Sequence, residues 1–274
     1  MENKKEYIVM RGENGIRFVV ETGENGLNFV NCFSVPESLH VTKQGNSKTG
    51  KPVGSYNFPV EQSCNHNCEC YKTKACYACG GFYQMPDNME AYAENLAFFL
   101  KNDNETFCNA FCEALKANKN KKFRYFTIGD ILNSRFFACM IENARRMPNV
   151  KFWSYTKKYS IVNHWCDENG IENFPKNLTI IFSHWMNEDG SYFPMENPYN
   201  FPTSEFIPYG KEYLAESVTH ICPCSNPDVL ATCDTCDKPC YELKHGESMG
   251  LLEHSTKRTK ARDKAVKEAH KKLA

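Results

Sequence analysis

The chain has 274 residues, with 33 Lys plus Arg balancing 33 Asp plus Glu, so its bulk charge selects no nucleic acid or acidic surface as a partner. At this length, with 41% hydrophobic residues, it can bury a core without the disulfide framework of a short secreted domain. No apolar run approaches the about 18 residues of a membrane span, and Met1-Glu-Asn-Lys-Lys-Glu-Tyr7 is charged where an apolar leader would run, so the chain is expected in the cytoplasm, away from membranes.

In chain order, short strands are predicted over 6–11, 16–21 and 27–33, with Glu-Asn-Gly at 13–15 and 24–26 as hairpin turns. A polar stretch over 45–52 precedes a strand over 55–60, which runs straight into a group of cysteines. Apolar residues recur at helical spacing over 88–101 and 106–118. Next come a strand over 123–128 ending in Gly129-Asp130, a helix over Ser134–Arg146 closed by Pro148, a strand over Lys151–Thr156, a helix over 164–169 and a strand over 178–183. This alternation predicts an α/β fold of parallel βα units, barrel-like or a partial barrel in the manner of a TIM barrel, behind N-terminal β-hairpins. The expected organisation is a β-rich segment over 1–60, an α/β core over 61–220, a cysteine segment over 221–250 and a basic helical tail over 251–274.

Fifteen cysteines are present, and ten of them fall in two boxes. The first reads Cys64-x3-Cys68-x-Cys70-x5-Cys76-x2-Cys79, flanked by Tyr71, Tyr77, Phe82 and Tyr83. Five thiols exceed the needs of one mononuclear ion, and an aromatic shell tunes the potential of an iron–sulfur cluster. If only three cysteines ligate, one iron stays open to a substrate or cofactor. The second box places Cys222 ahead of Cys233-x2-Cys236-x3-Cys240, with Cys224 spare. Four thiolates suit tetrahedral zinc or an iron–sulfur cubane, and the spacing leaves both open. In a reducing compartment such clusters point to metal ligands or redox thiols rather than bridges. Cys108 and Cys112, one helical turn apart, read as small buried hydrophobes, as do Cys32, Cys139 and Cys166. His184 and His220 are candidate outer ligands.

Parallel sheets keep their chemistry at the carboxyl ends of strands. That rule puts Asp130, Thr156, Lys157, Lys158, Ser183 and His184 on one face. Asp130 is the candidate catalytic residue, facing the first cysteine box, and Gly129 would let the backbone approach a ligand there. The competing role for Asp130 is a cap for the helix that follows, since Asn133 and Ser134 are capping types too. Thr156, Lys157 and Ser183 are the candidate cofactor-binding residues. No Gly-rich phosphate fingerprint, zinc-protease motif or serine nucleophile elbow is present. The stretch 257–272 carries eight Lys or Arg against Asp263 and Glu268, a solvated terminal helix or a patch for nucleic acid or a host protein.

Gly45-Asn-Ser-Lys-Thr-Gly50, Tyr56-Asn-Phe-Pro-Val60, Ser63-Cys64 and Cys76-Tyr-Ala78 with Gly80 form one conspicuous set. Phe126-Thr-Ile-Gly-Asp130, Ala144-Arg-Arg-Met-Pro148 and Phe152-Trp-Ser-Tyr-Thr-Lys157 form a second, and Ile221-Cys-Pro223 with Cys233, Cys236 and Cys240 a third. In this order they resemble the phage gene product 88 family over residues 45–245. The resemblance implies that Cys64, Cys70, Cys76, Cys222, Cys233, Cys236 and Cys240 stand on recurring cysteines and Asp130 on a recurring aspartate, with Cys68, Cys79 and Cys224 as extras. A looser similarity is to radical S-adenosylmethionine enzymes, whose Cys-x3-Cys-x2-Cys loop differs from Cys64-x3-Cys68-x-Cys70. That likeness implies S-adenosylmethionine as a cofactor. The resulting expectation is an iron–sulfur protein of phage or mobile-element type with one or two clusters, or zinc at the second box. It would act as a redox or radical enzyme on a small-molecule or macromolecular substrate at the strand carboxyl ends, in the host cytoplasm. The alternative is a non-catalytic zinc or iron–sulfur module that binds nucleic acid or a host protein.

Overall fold

A computed structural model describes residues 6–11, 17–23, 26–30, 38–45, 49–64, 78, 83, 85–185, 194–207, 216–225 and 231–252, with side chains from residue 38 onward except those of Glu61 and Pro86. The N-terminal segment is an antiparallel meander, β1 (Glu6–Arg11), β2 (Arg17–Gly23) and β3 (Gly26–Val30), with an irregularity between Glu21 and Thr22. These are the expected hairpin strands. They lie beside the first long helix, α2 below.

The main sheet has seven strands, all parallel: β4 (Val53–Tyr56), β5 (Lys122–Tyr125), β6 (Lys151–Thr156), β7 (Leu178–His184), β8 (Thr203–Ile207), β9 (His220–Ile221) and β10 (Ser248–Leu252). Their spatial order is β4-β5-β6-β7-β8-β10-β9. The α/β expectation holds, but the barrel does not close. Closure would require β4 to pair with the last strand of the row. Instead the outer edge of β4 meets Thr42, whose N–H donates to Ser55 O at 2.8 Å and whose carbonyl accepts from Ser55 N at 3.1 Å. The sheet is therefore open, with β9 as its other edge.

Helices form the front layer: α1 (Val60–Ser63), α2 (Pro86–Lys101), α3 (Asn104–Asn118), α4 (Ser134–Arg146) and α5 (Tyr159–Asn169). Pro86 fits the first turn of α2, where its missing N–H costs nothing. The Asp103 side chain caps α3 by accepting from Thr106 N at 2.7 Å, and Asn133 caps α4 by accepting from Phe136 N at 2.9 Å. Asn133, and not Asp130, is thus the cap of α4. Helix α5 begins at Tyr159, earlier than expected, and stops at Gly170, whose φ is 79°.

Period-two alternation sends Tyr56, Phe123, Tyr125, Phe152, Ile180 and Phe182 to the front, where they pack with the helices in one core. Phe136 of α4 sits at its centre, fully buried, 4.7 Å from Phe58, 5.1 Å from Phe99 and 5.7 Å from Phe107 between ring centroids. No described helix is long and apolar enough to cross a membrane.

The back of the sheet carries Val53, Trp153, Ile181 and Met249, and the cysteine-rich stretches 222–225 and 231–243 lie across it. The Tyr241 ring lies tilted at 5.2 Å from Trp153, and the Tyr241 carbonyl accepts from Thr179 Oγ1 at 2.9 Å. Lys122 Nζ bonds Asp234 Oδ1 at 2.8 Å. Strands β8, β9 and β10 are not among the expected elements: they are short, and Gly250 interrupts the apolar pattern of β10.

Truncating Phe136 to Ala empties the middle of the aromatic core. Chemical denaturation should report a loss of about 3–5 kcal/mol, with Phe136→Leu costing clearly less.

Candidate functional site at the strand carboxyl ends

The chain leaving β4 and the chain leaving β5 are pinned to each other. Asn57 Oδ1 accepts from Thr127 N at 2.7 Å, Thr127 Oγ1 at 2.7 Å and Ile128 N at 3.1 Å. Asn95 of α2 in turn donates to Asn57 O at 3.1 Å. Phe126 takes a φ of 59° in this turn, and Gly129 one of 85°. A Cβ on Gly129 would fall 2.6 Å from Phe58 O and 2.9 Å from Ser63 Oγ, so the close approach that needs a glycine is to the neighbouring strand exit and not to a ligand.

Asp130 follows directly and is buried. Its N–H donates to Ser63 Oγ at 3.1 Å. Its carboxylate accepts from Ile131 N at 2.7 Å, Thr156 Oγ1 at 2.6 Å and Lys157 N at 2.9 Å. Both oxygens are therefore engaged, and they tie the end of β5 to the end of β6. Burial raises the Asp130 pKa above the ordinary carboxyl range, against the pull of these three donors and of Lys157. One step further along the row, Lys157 Nζ donates to Ser183 Oγ at 3.2 Å, and the Tyr159 hydroxyl donates to Ser183 O. The structure thus joins Asp130, Thr156, Lys157 and Ser183 in one hydrogen-bonded row across β5, β6 and β7. His184 stands on the opposite face from Ser183, where burial lowers its pKa.

Of the first cysteine box, only Cys64 is among the described residues; Cys68, Cys70, Cys76 and Cys79 lie outside them. Cys64 closes α1, its N–H bonded to Val60 O, and packs against the small cluster of Val60, Ala78 and Ile128, which Tyr83, Met89 and Tyr92 also cover. It adjoins Ser63, which contacts Asp130. Cys32 and the basic tail also lie outside the described residues.

The second box is wholly described, and its five thiols gather on the back of the sheet. Cys224 shares side-chain hydrogen bonds with Cys222 and with Cys233, which raise its own pKa and lower theirs. Cys240 lies beneath Tyr155, whose hydroxyl reaches its sulfur at 2.8 Å, and burial pushes the Cys240 thiol up to about 12. The Arg124 guanidinium lies 5.0 Å from the Tyr155 ring centroid, and its charge acts on both Cys233 and Cys240. Cys222 is held by its N–H to Gly250 O at 2.9 Å. These thiols are linked pairwise: among the described residues no group of three or more His, Cys, Asp or Glu is arranged as a metal site. In chemical kind they fit a thiolate-bound metal, being soft donors on a face that supplies a cation. His220 does not join them; its Nδ1 lies 3.2 Å from Lys238 Nζ and its Nε2 3.9 Å from Glu247. Cys108, Cys112, Cys139 and Cys166 are buried free thiols of the helical layer, as expected.

The model of the family described as gene product 88 matches residues 37–198, more than half of the chain. The chain belongs to the gene product 88 family. The match takes in the first cysteine box and the row from Asp130 to Ser183 and ends before the second box, short of the 45–245 over which the sequence resembles the family. Neither the curated proteins nor the solved structures include a match to this chain. Nothing in these comparisons extends the likeness to radical S-adenosylmethionine enzymes.

Asn57 is the residue that reading by motif passed over. It stands inside the Tyr56–Val60 motif as an isolated Asn at a strand end, a position where a side-chain amide substitutes for ladder bonds.

Replacing Asp130 by Ala leaves the donors of Ile131, Thr156 and Lys157 without their acceptor, at about 1–3 kcal/mol for each that water cannot reach. Thr156→Val, which removes one donor, should cost only about 1 kcal/mol. Because the folded carboxyl holds its proton more tightly than the unfolded chain, the contribution of Asp130 is largest below the ordinary value of 3.8 and falls as pH rises through the folded value. Urea titrations across pH should show the gap between wild type and Asp130→Ala narrowing as pH rises from about 3.8.

Proposed function

We propose that this member of the gene product 88 family is an iron–sulfur protein of phage type, acting in the host cytoplasm. In this reading Cys64, Cys68, Cys70, Cys76 and Cys79 supply the ligands of a cluster at the carboxyl end of β4. The substrate of a redox or radical reaction lies beside it along the strand ends. One observation carries the reading: Cys64 leaves α1 next to Ser63, whose hydroxyl holds the backbone of Asp130 at 3.1 Å. A centre built on Cys64 therefore borders the row Asp130–Thr156–Lys157–Ser183. The apolar cluster of Val60, Ala78 and Ile128, which Cys64, Tyr83 and Tyr92 all pack against, supplies the low-dielectric surroundings that tune such a centre. A bound cluster supplies electron transfer; the chain supplies placement. Asp130, with both oxygens already taken, serves as a positioning residue: it holds the N–H of Lys157 and so fixes where the row of strand ends meets a ligand.

The second box supports a different role. Its segment contacts Lys122, Trp153 and Thr179 early in β5, β6 and β7, and Tyr155 near the end of β6, all on the back of the sheet. Cys222, Cys233, Cys236 and Cys240 suit a structural metal, zinc or a second cluster, that fastens the back layer to the sheet. If the first box holds zinc as well, the protein is the non-catalytic module instead.

Anaerobically isolated protein should be brown and contain iron and acid-labile sulfide. Cys64→Ala should lose iron and sulfide. Cys240→Ser should lose the second metal and melt earlier, and Cys32→Ala should keep both. Colourless protein with zinc alone, after expression with ample iron, would sink the redox reading. Equal metal loss in all three variants would sink the ligand assignment.

A further inference from the structure

The helical layer holds Cys108, Cys112, Cys139 and Cys166 as free thiols, and the proposed metal chemistry uses none of them. Two of these behave as small buried hydrophobes. Burial raises the pKa of Cys112, whose sulfur lies 3.7 Å from Asn143 Oδ1, and pushes the Cys166 thiol up to about 11. The other two meet between the packed helices α3 and α4. Cys108 Sγ lies 4.0 Å from the Cys139 carbonyl oxygen and shares a side-chain hydrogen bond with the Cys139 thiol. That bond, aided by the charges of Arg135 and Arg146, lowers the Cys139 pKa against burial and Glu142, and it raises that of Cys108. Of the pair, Cys139 thus has the greater thiolate character, and the thiolate is the reactive form.

Both residues also line a cleft. Glu105 stands one helical turn before Cys108, and Glu142 one turn after Cys139. With Arg146 and with Trp165 of α5 they border a hollow of about 520 Å³, whose lining includes neither Cys112 nor Cys166. The guanidinium of Arg146 is held there by Glu142 Oε1 and Asn109 Oδ1, both at 2.7 Å. Each thiol of the pair is 1% exposed, so a reagent that reaches it through the cleft must be hardly larger than water.

We propose that Cys108 and Cys139 form a peroxide-reactive dithiol that closes to a disulfide between α3 and α4. Cys139 attacks and Cys108 resolves. The Cys139 thiolate bonds to one oxygen of the peroxide and breaks the O–O bond, which leaves a sulfenic acid. The departing hydroxide takes up the proton that Cys139 gave up and becomes water. The Cys108 sulfur then attacks the Cys139 sulfur, and the sulfenic hydroxyl leaves with the Cys108 proton as a second water. Two electrons pass from the thiols to the peroxide, and a low-molecular-weight thiol reductant reopens the pair by exchange. In a reducing compartment such a bond is transient and serves sensing or catalysis. The site goes beyond the iron–sulfur reading and needs no metal in either cysteine box.

The test maps the thiols of the full chain as purified, with hydrogen peroxide as the probe. After graded doses and alkylation under denaturing conditions, peptide mass mapping should find Cys108 joined to Cys139, lighter by two hydrogens. Cys112 and Cys166 should still be alkylated at those doses, and dithiothreitol should restore both thiols of the pair. In Cys108→Ser the sulfenic acid has no resolving thiol, so dimedone should label Cys139. The wild-type map decides the proposal even where that variant does not fold. Recovery of Cys108 and Cys139 as free thiols at every dose would overturn it, and so would oxidation of Cys112 and Cys166 at the same doses. Protein that carries zinc alone and gives the expected map would sink the iron–sulfur reading and leave this one standing.

Discussion

A parallel sheet must be covered on both faces, and the described helices of this chain cover only one. That constraint organises the molecule. From β4 to β8 each strand is laid beside the previous one in the same direction, so right-handed crossovers put the described helices between them on the front. Only when β10 is placed back between β8 and β9 does the direction reverse. The same handedness rule then sends the connection over the other face. The described parts of that connection, 222–225 and 231–243, set Cys222, Cys240, Leu243 and Tyr241 on the sheet. Thiols thus stand where a doubly wound sheet would place the apolar stripe of a helix.

The front layer has no such shortage. Phe98, Phe99, Phe107, Phe111, Phe136 and Phe137 fill it with interlocking rings, and burial at about 25 cal/mol per Å² of apolar surface makes this the main source of stability. Such a rigid layer allows the loops at the strand ends to be held by polar contacts alone. Asn95, Asn57, Ser63 and Asp130 form a relay from α2 through the exits of β4 and β5 to Thr156 and Lys157. Each is a buried polar group whose cost is met by backbone partners, and the outcome is a fixed position for Lys157.

Much of this is legible in the sequence wherever one residue type has one use. The edges of α4 and β6 follow from Asn133, Pro148 and an unbroken β-rich run, and the expected Ser134–Arg146 and Lys151–Thr156 are the observed bounds. The meeting of Asp130, Thr156, Lys157 and Ser183 follows from the rule of strand ends in a parallel sheet. The last three strands escape notice because β9 is two residues long and β10 pairs through Gly250, which carries no pattern. Closure into a barrel also lies beyond periodicity. It depends on which strand occupies the last place in the row, and the placing of β10 inside β9 is a property of the crossover over the back face. Gly129 is correctly marked by its residue type but serves packing: the atom that approaches it is the carbonyl of Phe58.

The two faces of the sheet divide the work at the strand ends. Front-facing Thr156 is consumed in holding Asp130, while back-facing Lys157 donates to Ser183 Oγ. The backbone and the side chain of Lys157 answer to different partners: the N–H is fixed by Asp130 Oδ2, while the ammonium lies over Trp185. The cysteine layer covers the same back face and reaches Tyr155, one residue before the end of β6. Its docking is therefore coupled to the strand whose end carries Thr156 and Lys157, through a segment that sets sulfur on the sheet beside Leu243 and Tyr241.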